Sequence, residues 1–270
     1  MSNHRAKKSL GQNFLTSPSI AKDIVLKSGA TRESVVLEIG PGTGMLTRCI
    51  LDVGASVTAV EKDDMLYNTL LDTFSKEISS GQLTLIHGDI LDFDTTSPRH
   101  KLAFSDYMIL ANIPYNITGA FFKKFLSTTH QPSSITVMIQ KEVGERILAK
   151  PIKGKSRENI LSLSIKAYGT PRIVKNVPKK HFLPQPKVDS VILHIDSISK
   201  RLFREIDEET FFKAIKSGFS HKRKKLIRNL AEVFPQEMLE RAFKELFLDH
   251  NTRAEALTLD QWADLSRKLS

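Results

Sequence analysis

A chain of 270 residues with 40% hydrophobic content can bury a full core, with room for one large domain and a smaller one. Its single cysteine, Cys49, excludes an internal disulfide and a cysteine-rich zinc site, and the eight histidines form no ligand-spaced cluster, so no metal is expected. A net charge of +10 points to a polyanionic partner; no apolar run approaches the roughly 20 residues of a membrane helix and none follows His4-Arg5-Ala6-Lys7-Lys8, so a cytoplasmic protein without a membrane partner is expected.

Val35–Ile39 reads as a short buried strand, followed by Gly40-Pro41-Gly42-Thr43-Gly44 and a helical pattern from Met45 through Leu51, among which Cys49 is expected to pack. Ala55–Val60 is a second strand ending at Glu61, and Asp63 or Asp64 leads the next helix. Strands around Leu83–Ile86, Tyr107–Ala111 and Ile135–Ile139 continue the alternation, an order that predicts an α/β domain with a largely parallel sheet. Pro178, Pro184 and Pro186 punctuate a loop before the β-branched run Val188–Ile195, which closes that domain.

From about residue 200 the pattern turns helical. Phe211, Ile215 and Phe219 recur at i+4, as do Leu226, Leu230 and Phe234, while Thr252 with Glu255 and Thr258 with Gln261 fit the capping box. The expected division is a Rossmann-like α/β domain over residues 1–198 and a small all-helical C-terminal domain over residues 199–270. Charge is striped: residues 141–187 hold 12 Lys or Arg against three Glu, and residues 213–228 hold seven basic residues and no acid.

A glycine turn between strand and helix lets backbone N–H groups approach a ligand, and the helix N-terminus favours negative charge there. The spacing Gly40-x-Gly42-x-Gly44 carries Met45 where a dinucleotide fingerprint has its last small residue, which favours S-adenosylmethionine (SAM) and its carboxylate over NAD. Glu61, about 20 residues on at a strand end, is placed to accept both ribose hydroxyls. Asp89, after the third strand, is suited to accept an N–H from the cofactor adenine.

Asn112-Ile113-Pro114-Tyr115 follows the fourth strand at the carboxyl edge of the sheet, where α/β ligands bind. An adenine N6 is a poor nucleophile because its lone pair is delocalised. Fixed oxygens from the Asn112 side chain and a carbonyl of Ile113 or Pro114 would help it become pyramidal, with Pro114 stiffening the loop and Tyr115 stacking on the base. In-line attack on a sulfonium methyl needs no general base, because the ammonium formed can lose its proton to water; none is assigned.

At these residues the chain resembles the rRNA adenine N6-dimethyltransferase family, most closely its bacterial small-subunit branch. The resemblance rests on Gly11-Gln12-Asn13-Phe14-Leu15, Glu38 to Gly44, Glu61, Gly88-Asp89, Asn112 to Ile117, Gln140-Lys141-Glu142-Val143, and Phe182 to Ser190, and it spans nearly the whole chain. It implies that Asn13 and Leu15 cover the cofactor, Gly40 contacts its methionine part, Glu61 its ribose and Asp89 its adenine. It further implies that Asn112 completes the pocket and holds the target amine, and that Phe182 stacks opposite Tyr115. The substrate implied is a pair of adjacent adenosines near the 3′ end of small-subunit (16S) rRNA, each dimethylated during assembly of the 30S subunit. A monomer is expected.

Lys222, Arg223, Lys224, Lys225 and Arg228, on a basic helix beside His221, are expected to hold rRNA phosphates, aided by Lys150, Lys153, Lys155 and Arg157. Two departures stand out. Ser156 to Ser162 lacks the family's common Tyr-Gly-Arg-Leu-Ser-like stretch, and Ile113 replaces the more frequent Leu, as in the large-subunit resistance enzymes. Large-subunit rRNA as the target, or a noncatalytic assembly or transcription factor on the same scaffold, are the competing readings; Asp189 and the intact Glu61, Asp89 and Asn112 argue against them.

Overall fold

The structure, a computed structural model, describes residues 12–149, 151–153 and 156–270. Gly11, Lys150 and Lys155 therefore lie outside the described residues, as does His4 to Lys8. Two compact units emerge: one runs to Gly144 and resumes over Pro171–Ile198, the other joins Glu145–Thr170 to Ser199–Ser270. One cut falls after Ile198. Glu145–Thr170 sorts with the helices instead of the sheet.

In the first unit β1 (Phe14–Leu15) and α1 (Pro18–Ser28) precede β2 (Val35–Ile39), α2 (Met45–Asp52), β3 (Ser56–Glu61), α3 (Asp64–Thr73), α4 (Ser75–Ser79) and β4 (Leu83–His87). Then come β5 (Met108–Asn112), α5 (Thr118–Ser127), β6 (Ser134–Gln140) and α6 (Lys141–Leu148), across which the unit boundary falls. After α7 (Ile160–Lys166) of the second unit, β7 (Thr170–Val177) and β9 (Ser190–Asp196) complete the main sheet, and β8 (Phe182–Leu183) between them pairs with β1 in a separate two-stranded sheet. Pro18 opens α1 at the position where its missing N–H costs nothing, and Asp63 caps α3 by accepting from Met65 N–H at 3.0 Å and Leu66 N–H at 3.2 Å.

The seven-stranded sheet has the order β4-β3-β2-β5-β6-β9-β7. Strands β2 to β6 run parallel, and β9 lies antiparallel to β6 with Val137 opposite Leu193. Central strands of a parallel sheet are covered on both faces, which is why β2 and β3 are buried along nearly their whole length, and β2 reads as a nearly continuous apolar run. From β2 the chain winds outward to β3 and β4, and then returns to place β5 on the other side. That reversal opens a crevice between the carboxyl ends of β2 and β5, the place where open α/β sheets take ligands. Ile24, Ile50, Leu70 and Phe74 pack into the core on this sheet, with Cys49 partly buried against them.

The second unit is built from α7, α8 (Glu208–Gly218), α9 (Leu226–Leu230), α10 (Gln236–Glu245) and α11 (Leu259–Lys268) around the fully buried Trp262, Phe211, Leu239 and Phe243. Gly218 ends α8 where a Cβ would lie 2.5 Å from the Trp262 ring, so only glycine permits that approach. Two sequence expectations are corrected here. The basic run from Lys222 to Lys225 is a turn between α8 and α9, not a helix; the buried Asn229 holds it by donating to the carbonyls of Gly218 (2.6 Å) and His221 (3.1 Å). Thr252 caps no helix, because Ala254–Ala256 is a single 3-10 turn and the Thr252 carbonyl instead accepts Leu226 N–H. Thr258 and Gln261 do form the reciprocal box.

Candidate active site

The crevice at the ends of β2 and β5 is a cavity of about 170 Å³. Its wall brings together Asn13, Gly40, Gly42, Glu61, Asp89, Asn112, Pro114 and Tyr115, eight of the residues singled out from sequence, with Ile39, Leu66, Ile90 and Ile113 as apolar lining. Strand ends and the segment before β1 converge there, so residues up to about 100 positions apart in sequence face one space.

The glycine turn is held from both sides. Gly40 N–H donates to Val60 C=O at 3.0 Å, and Gly44 N–H to Pro41 C=O at 2.9 Å. Gly44 adopts φ +81° with a Cβ position 2.5 Å from the Phe74 ring, which excludes any side chain. Gly42 lies beneath Phe14, whose ring sits 3.2 Å from where a Cβ would be, whereas a Cβ on Gly40 would meet nothing within 4 Å and opens onto space a ligand can use.

Glu61, 5% exposed at the end of β3, locks that turn to the sheet: Oε2 accepts Gly42 N–H at 3.0 Å and Oε1 accepts Asp63 N–H at 2.9 Å. Burial pushes its carboxyl above the ordinary range, opposed by these backbone N–H groups. Each oxygen keeps a lone pair for a further donor. Beneath the turn, Glu38 on β2 is 1% exposed, and burial pushes its carboxyl up to about 8 against the opposing pull of the nearby Thr47 hydroxyl and N–H.

Asp89 is pinned by two donors, Leu91 N–H to Oδ1 at 2.9 Å and Lys62 Nζ to Oδ2 at 2.6 Å. The Lys62 hydrogen bond holds its carboxyl below the usual range, so it is an ionised acceptor at neutral pH. Asn112 donates from Nδ2 to Asn13 C=O at 3.0 Å. A carbonyl can only accept, so the amide must turn its nitrogen that way, and Oδ1 keeps its acceptor capacity. Pro114, at φ −58° and ψ 133°, leads into a 3-10 turn over Tyr115–Ile117, where the Pro114 carbonyl accepts Ile117 N–H at 3.2 Å.

Leu15 and Phe182 are placed otherwise. They pair across β1 and β8 and are 6% and 3% exposed in the hydrophobic core, not in the cavity wall, so in this conformation Phe182 offers no face to a base opposite Tyr115. Lys222, Arg223, Lys224, Lys225 and Arg228 are all exposed on the second unit, and Lys153 and Arg157 are exposed too. Sequence reasoning missed Lys62, Ser190 and Glu38. Lys62 carried only its adjacency to Glu61 as a signal, and Ser190 only its place in the Lys187 to Ser190 run.

Among solved structures, the chain is similar to a dimethyladenosine transferase from Plasmodium falciparum, with TM-score 0.75 and 25% identity over 93% of this chain and 95% of that one. It shares the fold of the 23S rRNA methyltransferase ErmE, with TM-score 0.69 and 22% identity over 95% of this chain and 99% of that one. Proteins named ribosomal RNA small subunit methyltransferase A are similar in sequence: that of Clostridium acetobutylicum is 35% identical over 99% of this chain and 95% of its own length, and that of Enterococcus faecalis 36% identical over 97% and 90%. The family model described as ribosomal RNA adenine dimethylase matches residues 3–270, and with it the glycine turn, the strand-end carboxylates and the Asn112 loop find their common explanation: the chain belongs to the ribosomal RNA adenine dimethylase family.

Proposed function

We propose that this chain transfers methyl groups from SAM to the N6 atoms of two adjacent adenosines near the 3′ end of small-subunit (16S) rRNA, during ribosome biogenesis. The observation that carries the reading is that Asn112, Pro114 and Tyr115 share one cavity wall with Glu61 and Asp89, so an amine-holding loop and a nucleoside-holding pair of carboxylates face the same space. The small-subunit target follows the names of the bacterial relatives.

The cavity suits SAM in its chemistry. Glu61 offers carboxylate lone pairs to ribose hydroxyls, Asp89 an ionised acceptor to the adenine amine, Ile90 and Leu66 apolar surface to its ring, and the open face of Gly40 room for the methionine part. Asn13 lies over the same space, and Leu15 anchors that segment from the core. When bound, SAM supplies an electrophilic methyl on a sulfonium, already a good leaving group.

The chain's own residues then have separable tasks. Asn112 Oδ1 and a carbonyl of the Ile113–Pro114 segment accept the N6–H bonds, which favours a pyramidal nitrogen whose lone pair is available. Tyr115 stacks on the base, which must leave its RNA stack to enter, at a cost of about a few kcal/mol that is smallest in a loop. The proton leaves to water after transfer. Lys222, Arg223, Lys224, Lys225 and Arg228 hold phosphates of the rRNA. The partner is the assembling 30S subunit, the chain acts as a monomer, and its place is the cytoplasm.

The test incubates the protein with labelled SAM and, separately, undermethylated small subunits, naked small-subunit rRNA and large-subunit rRNA, and identifies modified bases by mass spectrometry. Dimethyladenosine in small subunits is expected. Label in large-subunit rRNA, or tight SAM and RNA binding with no label anywhere, overturns the substrate or the enzymatic reading respectively.

A further inference from the structure

Two hydroxyls 75 residues apart in sequence meet at the wall of the cavity: Tyr115 Oη and Ser190 Oγ lie 2.8 Å apart. Their settings differ. Tyr115 stands in a single 3-10 turn between β5 and α5, a short connection with few hydrogen bonds of its own. Ser190 is fully buried at the first position of β9, opposite Gln140 of β6.

The residue before it is fastened twice, since the Asp189 carbonyl accepts Lys141 N–H at 3.0 Å and Asp189 Oδ1 accepts Lys179 N–H at 2.9 Å. The Ser190 hydroxyl is thus a fixed point on the sheet, and the Tyr115 ring is tied to it by its far end. Burial keeps the phenol protonated and able to donate. With its Cα in the loop and its Oη on the strand, the ring is held at both ends, which restricts rotation about its side-chain torsions.

We infer that Ser190 is a positioning residue for methyl transfer: its hydroxyl fixes the plane of the Tyr115 ring so that the ring face meets the target adenine. This gives the Lys187-Val188-Asp189-Ser190 run a task, with Asp189 anchoring the strand start and Ser190 aiming the aromatic. The inference rests on the reading of Tyr115 as the stacking residue.

The test measures single-turnover methylation of undermethylated small subunits, together with SAM affinity, for Ser190→Ala, Ser190→Thr, Tyr115→Phe, Tyr115→Ala and the double variant Ser190→Ala/Tyr115→Phe. Losing one buried neutral hydrogen bond should slow transfer about three- to tenfold. Ser190→Ala and Tyr115→Phe should each show that loss with SAM affinity unchanged. The double variant should be no slower than either alone, and Ser190→Thr should restore the rate. Additive losses, absence of rescue by threonine, or equal weakening of SAM binding would overturn the inference, the last by making Ser190 a structural support of the whole pocket. Tyr115→Ala separates the two readings: if it leaves transfer at the wild-type rate, stacking by Tyr115 is wrong. If it abolishes transfer while Ser190→Ala and Tyr115→Phe remain at the wild-type rate, stacking stands and the positioning role falls.

Discussion

Asn112 ends β5 and Glu61 ends β3, and both face one cavity, yet their surroundings assign them different tasks in the proposed reading. Asn112 has one amide edge committed to Asn13 and the other available, so Asn112→Ala should abolish transfer while SAM affinity stays measurable by calorimetry. Glu61 holds the glycine turn as well as facing the cavity, so Glu61→Ala should weaken SAM binding itself, by at least about tenfold for a buried charged acceptor. Equal loss of both properties in both variants would mean that this division is wrong. Glu38 makes a separate prediction. In the fold it keeps its proton up to about pH 8, against an ordinary value of 4.5, so between those values the unfolded chain binds fewer protons and stability falls as pH rises. Glu38→Gln removes the ionisation and should raise the melting temperature at pH 8, by an amount worth on the order of a few kcal/mol, with little change near pH 5. The same offset at both pH values would refute it.

At the scale of elements, legibility followed locality. Strands β2 to β6 and the turn after β2 were readable because each is a short run rich in apolar or β-branched residues, and β2, β4 and β5 have glycine or proline within two residues of their ends; strand ends are where the sheet presents Glu61, Asp89 and Asn112. β7 was not readable, since Thr170–Val177 has only Val177 fully buried, shows no regular alternation and carries Arg172 and Lys175. β1 and β8 are two residues each and exist only through their mutual pairing, which no local pattern encodes. The partners of Asp89 and Tyr115, Lys62 and Ser190, lie 27 and 75 positions away, and only the folded sheet edge brings them together. The basic run looked helical because Leu226 and Leu230 repeat at i+4 after it; Gly218, Asn229 and the crowding of like charges end α8 first. Asn229→Ala should therefore destabilise the second unit by about 1–3 kcal/mol in denaturant unfolding, since the buried Gly218 carbonyl and the part-buried His221 carbonyl lose their donor. It should also lower affinity for rRNA while leaving SAM affinity alone. A variant that melts and binds like the wild type would show that Asn229 does not shape the turn.

At the scale of the whole molecule, charge and cavity reside on separate units: the glycine turn and its carboxylates on the first, the exposed Lys222 to Lys225 turn on the second. Replacing Lys222, Arg223, Lys224 and Lys225 by alanine should weaken rRNA binding and lower the slope of log affinity against log salt by about 3, at roughly 0.7–0.9 for each phosphate no longer neutralised. SAM affinity should be untouched, and an unchanged slope would move the phosphate-binding surface elsewhere. The second unit is also discontinuous in the chain. Its first piece carries Tyr168, whose hydroxyl donates to Glu208 and whose ring packs against Phe203 and Phe212, all supplied by the second piece. As the chain leaves the ribosome, Glu145–Thr170 emerges before any of these partners and must wait, exposed, while β7 and β9 complete the sheet behind it. The nascent chain thus finishes the unit with the cavity first and the unit with the basic turn last.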